Sequence, residues 1–115
     1  NTEAIEDETM VLSAAQVADE IDAKAIVVLT KKGFTARALL KHRPKTPVIA
    51  VTDSIHTARS LNFLWGINEI ILHKGVYRSE EIKRFLTKEK KLKKGDDLVL
   101  IKLSDTKRSL VVMSV

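Results

Sequence analysis

Thr30-Lys31-Lys32-Gly33-Phe34-Thr35 is the segment of this 115-residue chain best equipped to meet an anion. Two lysines precede a glycine, two threonines bracket the group, and an apolar-periodic stretch follows. The turn therefore opens a predicted helix. Backbone N–H groups at a helix start lack intrahelical partners and favour negative charge. Lys31 and Lys32 add cations, and Thr30 and Thr35 add hydroxyl donors. The chemistry this suits is holding a phosphate, not breaking a bond. A plain glycine turn with Thr35 as helix N-cap would use the same residues. A socket exists only where the amides around Gly33 are left unclaimed by protein carbonyls. The second cationic turn is Ser104-Asp105-Thr106-Lys107-Arg108-Ser109. Lys107 and Arg108 either complete the phosphate site or serve as hairpin-tip charges that discourage edge pairing.

Groups for covalent or acid–base catalysis are sparse. The three histidines are His42, His56 and His73. His42 falls near a helix end and reads as a surface cation or packing residue, and His56 opens a helix and reads as solvent-facing. His73 and Asp53 both follow strands, where a role in chemistry is conceivable. Yet Asp53-Ser54 before a helix reads first as a cap. No histidine pair has metal-ligand spacing with an acidic partner. There is no G-x-x-x-x-G-K-[ST] and no G-x-G-x-x-G, so neither an NTP loop nor a dinucleotide fingerprint is present. Cysteine is absent, which excludes a disulfide scaffold, a zinc finger and a thiol nucleophile. Nothing assembles a nucleophile, a base and an orienting group. Trp65 is expected to pack under a loop. Aromatics are 4% of the chain, too few for the stacking platforms of single-strand nucleic-acid binding.

Charge is unevenly placed. The net charge is +5, but residues 1–22 hold seven acids and no base, which leaves +12 on the remaining 93 residues. Such a body attracts anions in general: phosphorylated metabolites, nucleic acid, acidic proteins. No apolar run approaches the ~20 residues of a membrane span, and no signal peptide is present, so a cytoplasmic protein without membrane contact is expected. Asn1 is not a methionine, so a fragment or a processed chain is expected.

The elements that must position these turns can be read in order. Residues 1–6 are expected to fray. Asp7 or Thr9 caps a helix with Val11, Ala14, Ala15, Ala18 and Ile21 on one face. Ala25–Leu29 and Val48–Val51 are β-branched runs without alternation, the mark of strands covered on both faces. Ala36, Leu39 and Leu40 define a short helix stopped before Pro44. A third helix spans about 55–64, with Ile55, Ala58, Leu61 and Phe63 apolar and Gly66 as its stop. Ile67–Leu72 is a third strand. Ser79 caps a helix with Ile82, Phe85 and Leu86 inward, ending at Gly95. Leu98–Leu103 and Leu110–Val115 are the fourth and fifth strands. The expected fold is a single α/β domain over residues 1–115: three α/β/α layers around a five-stranded mixed sheet, order 3-2-1-4-5. Strand five is antiparallel, because about six residues are too few for a crossover. In such sheets ligands bind at the strands' carboxyl ends, where the order reverses. That point lies between strands one and four, so both cationic turns leave the same edge there.

The stretch from Ala23 to Gly66 resembles the C-terminal domain of pyruvate kinase. Ala25-Ile26-Val27-Val28-Leu29-Thr30-Lys31-Lys32-Gly33, then Ala36-Arg37, then Lys41-His42-Arg43-Pro44 with Pro47-Val48-Ile49-Ala50-Val51-Thr52, carry the likeness. Thr57-Ala58-Arg59, Trp65-Gly66 and Gly95-Asp96 extend it, over roughly residues 7–115 in all. The resemblance implies a regulatory and assembly domain. Its parent enzyme transfers a phosphoryl group from phosphoenolpyruvate to ADP with magnesium and usually potassium, in other domains. It implies no cofactor and no catalysis in this domain, the rest of a pyruvate kinase chain as partner, and a homo-oligomer. It also implies a phosphorylated effector held at the positions occupied here by Thr30, Lys31, Lys32, Gly33 and Thr35. Two departures stand out. Lys32 replaces a serine common in the family, and Ser104–Ser109 is short and glycine-free where members that respond to fructose 1,6-bisphosphate carry a long glycine-rich loop. They weigh against that effector and leave a smaller phosphorylated ligand, phosphate itself, or an empty ancestral site. Two other classes remain open: a stand-alone polyanion or nucleic-acid module, and a small enzyme using His73 and Asp53.

Overall fold

The computed structural model describes residues 2–74, 79–89, 92–103 and 108–115. It holds α1 (Thr2–Glu20), β1 (Ala25–Leu29), α2 (Phe34–Lys41), β2 (Val48–Thr52), α3 (Ile55–Leu61), β3 (Ile67–Leu72), α4 (Ser79–Lys88), β4 (Asp97–Leu103) and β5 (Arg108–Ser114). The strands form one sheet in the order β3-β2-β1-β4-β5. All neighbours are parallel except β4 and β5, which pair antiparallel from Asp97↔Ser114 to Leu103↔Arg108. The expected fold and strand order are therefore found.

β1 and β2 are buried at every residue because helices cover both faces. Ile26, Val28, Val48, Ala50, Val99 and Ile101 face a layer built from α1, α2 and Leu61 of α3. Val27, Leu29, Ile49, Val51, Leu98 and Leu100 face the opposite way, against Ile82 and Leu86 of α4 and against Leu92. Strands covered on two faces need no polar alternation, which explains their uninterrupted apolar runs. β3 is an edge strand and only half-buried. Its pairing with β2 shifts register after Val48, and the Asn68 side chain accepts the Val48 N–H at 3.0 Å, occupying a donor that the shift would otherwise strand.

Several boundaries differ from the sequence reading, each for a local reason. α1 begins at Thr2, ahead of the Asp7 or Thr9 cap. Val11, Ala14 and Ala18 are its fully buried residues, and Ile21 falls beyond its end and is exposed. α3 ends at Leu61, not near residue 64, and its first residue Ile55 is exposed. The chain must then turn into β3, and Gly66 makes that turn at φ +98°. Phe63 and Trp65 sit in the turn, where helical spacing no longer aims side chains at the core; they are 86% and 95% exposed. The expectation that Trp65 packs under a loop is thus overturned. α4 stops at Lys88, well before Gly95, and Leu92 beyond it is buried in the core. Ser79 is the first residue of α4, and its side chain lies outside the described residues. Among the described residues no helix is long and apolar enough to cross a membrane.

Candidate functional site

The Thr30–Thr35 turn leaves the carboxyl end of β1, between β2 and β4, at the point where the strand order reverses. Thr30 is buried, and its N–H extends the ladder to the Val51 carbonyl at 2.9 Å. Its hydroxyl oxygen accepts the Gly33 N–H at 2.8 Å, closing a tight turn. Lys31 and Lys32 project into solvent at the tip. Gly33 then takes φ +91°, ψ −1°, the left-handed conformation that favours glycine, and becomes the N-cap residue of α2.

Gly33 has no side chain with which to cap, and among the described residues no other side chain caps the start of α2. The first helical amides, those of Phe34, Thr35 and Ala36, also have no backbone partner among the described residues. Thr35 is the second residue of the helix and is buried, so it is not the N-cap that the alternative reading required. The Gly33 amide itself is spent on Thr30, within the turn. The amides available to an anion are those beyond Gly33, at the positive end of the α2 dipole. Lys107 lies outside the described residues. Arg108 opens β5, and its side chain also lies outside them.

The turn rests on α3. A Cβ built on Gly33 would come within 3.2 Å of Arg37 Nη1, 3.3 Å of a Leu61 methyl and 3.5 Å of the Thr57 methyl. Thr57 Oγ1 donates to the Lys31 carbonyl at 2.6 Å. Arg37 Nη2 donates to Ser60 Oγ at 3.0 Å, and Ser60 Oγ donates to the Thr57 carbonyl at 3.0 Å. α3 in turn is fixed at its start by Ser54, whose side chain accepts the Thr57 N–H at 3.2 Å. Arg37, Thr57 and Ser60 thus belong to the site, although no spacing rule could pair Thr57 with a carbonyl 26 residues away. The readable signal was Thr57-Ala58-Arg59, which entered only as part of the family likeness.

The other candidates do not converge. Ser54, not Asp53, caps α3, and Asp53 is exposed. The His73 N–H donates to the Thr52 carbonyl at 2.9 Å, and its ring lies 4.9 Å from that of Phe85. His56 is exposed on α3, and His42 Nε2 meets Glu8 Oε2 at 3.1 Å, tying the end of α2 to α1. Among the described residues no cluster of His, Cys, Asp or Glu is placed to hold a metal ion. A hollow of ≈ 450 Å³ opens between α2 and the α3–β3 turn, lined by Arg37, Leu40, Lys41, Arg43, Leu64 and Trp65.

Residues 8–110 match the family model described as pyruvate kinase, alpha/beta domain. Among similar curated proteins, pyruvate kinase 2 of Synechocystis sp. is 42% identical over 60 residues, 52% of this chain and 10% of that protein. The pyruvate kinase of Clostridium acetobutylicum is 46% identical over 63 residues, 55% of this chain and 13% of that protein. A Cryptosporidium parvum pyruvate kinase structure superposes over 94% of this chain and 22% of its own, with TM-score 0.81 and 24% identity, a likeness of fold. A second structure of that organism's enzyme covers 92% of this chain and 22% of its own, with TM-score 0.74 and 25% identity. The matched region is thus a small part of each relative. With a family match over nearly its whole length, the chain belongs to the pyruvate kinase alpha/beta domain family.

Proposed function

We propose that this chain is the regulatory and assembly domain of a cytoplasmic pyruvate kinase, that it catalyses nothing by itself, and that its Thr30–Thr35 turn holds the phosphate of a small phosphorylated effector. The parent reaction, phosphoryl transfer from phosphoenolpyruvate to ADP with magnesium and potassium, belongs to other parts of such an enzyme. The observation that carries the reading is the uncapped start of α2 beside two exposed lysines at the switch point of the sheet. An anion there gains the helix dipole, outward amides and two cations together. Coupling to the rest of an enzyme follows if the anion favours one arrangement of the domain over another.

Calorimetric titration with inorganic phosphate and with hexose mono- and bisphosphates tests the cradle. Lys31→Ala/Lys32→Ala should weaken binding about tenfold or more, the scale of losing charge-assisted hydrogen bonds. Unchanged affinity would refute the assignment. Fructose 1,6-bisphosphate is expected to gain little over phosphate, because the β4–β5 connection is short. Assembly is the second part of the proposal. β5 ends the sheet, and among the described residues no strand pairs with its outer edge, with Val112 half exposed. Sedimentation should show self-association at high concentration; a strictly monomeric profile would count against it.

One observation favours the polyanion alternative. Trp65 stands exposed beside Arg37, Lys41 and Arg43, an arrangement able to stack a base and neutralise phosphates. Single-stranded oligonucleotides would then quench Trp65 fluorescence with a steep salt dependence. No quenching at low salt excludes it.

A further inference from the structure

The Lys31 carbonyl lies in the tip of the anion turn, yet its partner comes from a different helix. Thr57 is buried, its Oγ1 donates to that carbonyl at 2.6 Å, and its methyl sits 3.5 Å from where a Gly33 side chain would begin. One side chain therefore meets the turn on both sides of Lys32: by a hydrogen bond before it and by occupying the space beside Gly33 after it. Ser60 reinforces this from the next turn of α3, accepting from Arg37 Nη2 at 3.0 Å and donating to the Thr57 carbonyl at 3.0 Å. Arg37 is itself on α2, one turn past Gly33, so α3 grips both the turn and the helix it opens. Ser54 holds the Thr57 backbone in place by capping α3.

From this geometry we infer that Thr57 is a positioning residue for anion binding, and that α3 is a brace which keeps the turn in its binding form. The inference rests on the cradle reading above and adds a residue that contacts no ligand. Its basis is preorganisation. A turn held in one conformation loses little freedom on binding, whereas a loosened turn binds in proportion to the fraction of time it is competent. Removing the hydroxyl takes away the bond from Thr57 to the Lys31 carbonyl and shifts the turn toward other conformations. Lys31 and Lys32 keep their charges throughout, so long-range attraction is unchanged and only the arrangement of the amides suffers.

The test compares wild type with Thr57→Val and Thr57→Ser, using inorganic phosphate as probe. Affinity is read by calorimetry, and loop order by amide hydrogen exchange in the absence of phosphate. Valine keeps the shape and loses the hydroxyl; serine keeps the hydroxyl. Thr57→Val should bind phosphate about tenfold more weakly, the scale of one buried hydrogen bond. It should also speed exchange at Lys32 and Gly33 while leaving β1 and β4 protected. Thr57→Ser should stay within about threefold of wild type, a smaller loss because a hydrogen bond is kept. A protein that merely tolerates the mutation poorly would speed exchange everywhere and would not be rescued by serine. Wild type that binds no phosphate refutes the cradle itself. Wild type that binds, with Thr57→Val binding equally well, refutes the brace and leaves the cradle standing. Ser60→Ala, which removes the Arg37 anchor and the bond to the Thr57 carbonyl but keeps Thr57 itself, provides a milder variant should Thr57→Val not fold, and equal phosphate affinity there also counts against the brace.

Discussion

Replacing Gly33 by alanine separates two costs that are usually entangled, because Gly95 supplies a matched reference. Gly33 has φ +91° and Gly95 has φ +96°, so an added Cβ meets nearly the same backbone penalty at both. That penalty is roughly 1–2 kcal/mol for an L-residue in the left-handed region. The surroundings differ. At Gly95 nothing lies within 4 Å of the new methyl, whereas at Gly33 it meets Arg37 Nη1 at 3.2 Å and Leu61 at 3.3 Å. The guanidinium can swing aside, but only by giving up its bond to Ser60; the Leu61 methyl is fully buried and cannot retreat freely. Overpacking of this kind adds about 1 kcal/mol at the low end of its range. Gly33→Ala should therefore be less stable than Gly95→Ala by about 1 kcal/mol, or roughly 4 °C in thermal midpoint for a domain of this length. Thermal unfolding followed by circular dichroism, with denaturant titration to check that the slope is unchanged, measures the difference. Equal midpoints would mean that Gly33 is not pressed against α3, and the account of how the turn is held would fall with it.

Other consequences are independent of that one. Leu61 is fully buried between α3 and the sheet, so Leu61→Ala should cost about 2–5 kcal/mol in denaturant unfolding, whereas Phe63→Ala, at an exposed position two residues on, should change stability by less than about 0.5 kcal/mol. Trp65 is the only tryptophan and is almost wholly exposed, so its emission should be red-shifted and readily quenched by iodide; a blue-shifted, protected signal would contradict its placement. Val112→Lys, a charge on the open β5 edge, should abolish self-association seen by sedimentation while leaving phosphate affinity unchanged. The Glu8–His42 contact is partly exposed, and Glu8→Gln should cost less than about 1 kcal/mol by the same unfolding assay.

Most of the fold was legible because it is written in local patterns. Ala25–Leu29 and Val48–Val51 are short, β-branched and unbroken, and only a doubly covered strand tolerates that composition in water. The short Ser104–Ser109 connection forced β5 to run antiparallel, whatever its sequence. What misled was the assumption that helical spacing continues past the helix. Ile21 and Phe63 sit at positions that would point inward had α1 and α3 gone on, but each helix had already ended. Trp65 misled for a different reason: a large aromatic is normally buried, and nothing adjacent to it in sequence says otherwise. The turn Thr30–Thr35 could be chosen from composition and from the switch-point rule. The brace could not, because Thr57, Ser60 and Arg37 meet the turn only through the packing of α3 on α2.

The same packing explains how a basic turn can remain a candidate anion site although its glycine is buried. Burial of Gly33 against α3 at first argues for an ordinary structural turn, with no room for a ligand. The direction of burial is compatible with the proposed cradle. Leu61, Thr57 and the Arg37 guanidinium all lie on the side a Cβ would occupy, which is the protein side. The Thr30 hydroxyl oxygen takes the Gly33 N–H, but among the described residues none of the next three amides meets a side-chain cap. The described residues thus hold the turn from beneath and leave the helix start uncapped. A structural turn would be expected to finish the job with a serine, threonine or aspartate at the N-cap, as Ser54 does for α3, the next helix. Gly33 at the equivalent place on α2 forgoes a side-chain cap, a loss of about a few tenths of a kcal/mol against serine, and an anion between Lys31, Lys32 and the α2 amides is the partner that would restore it.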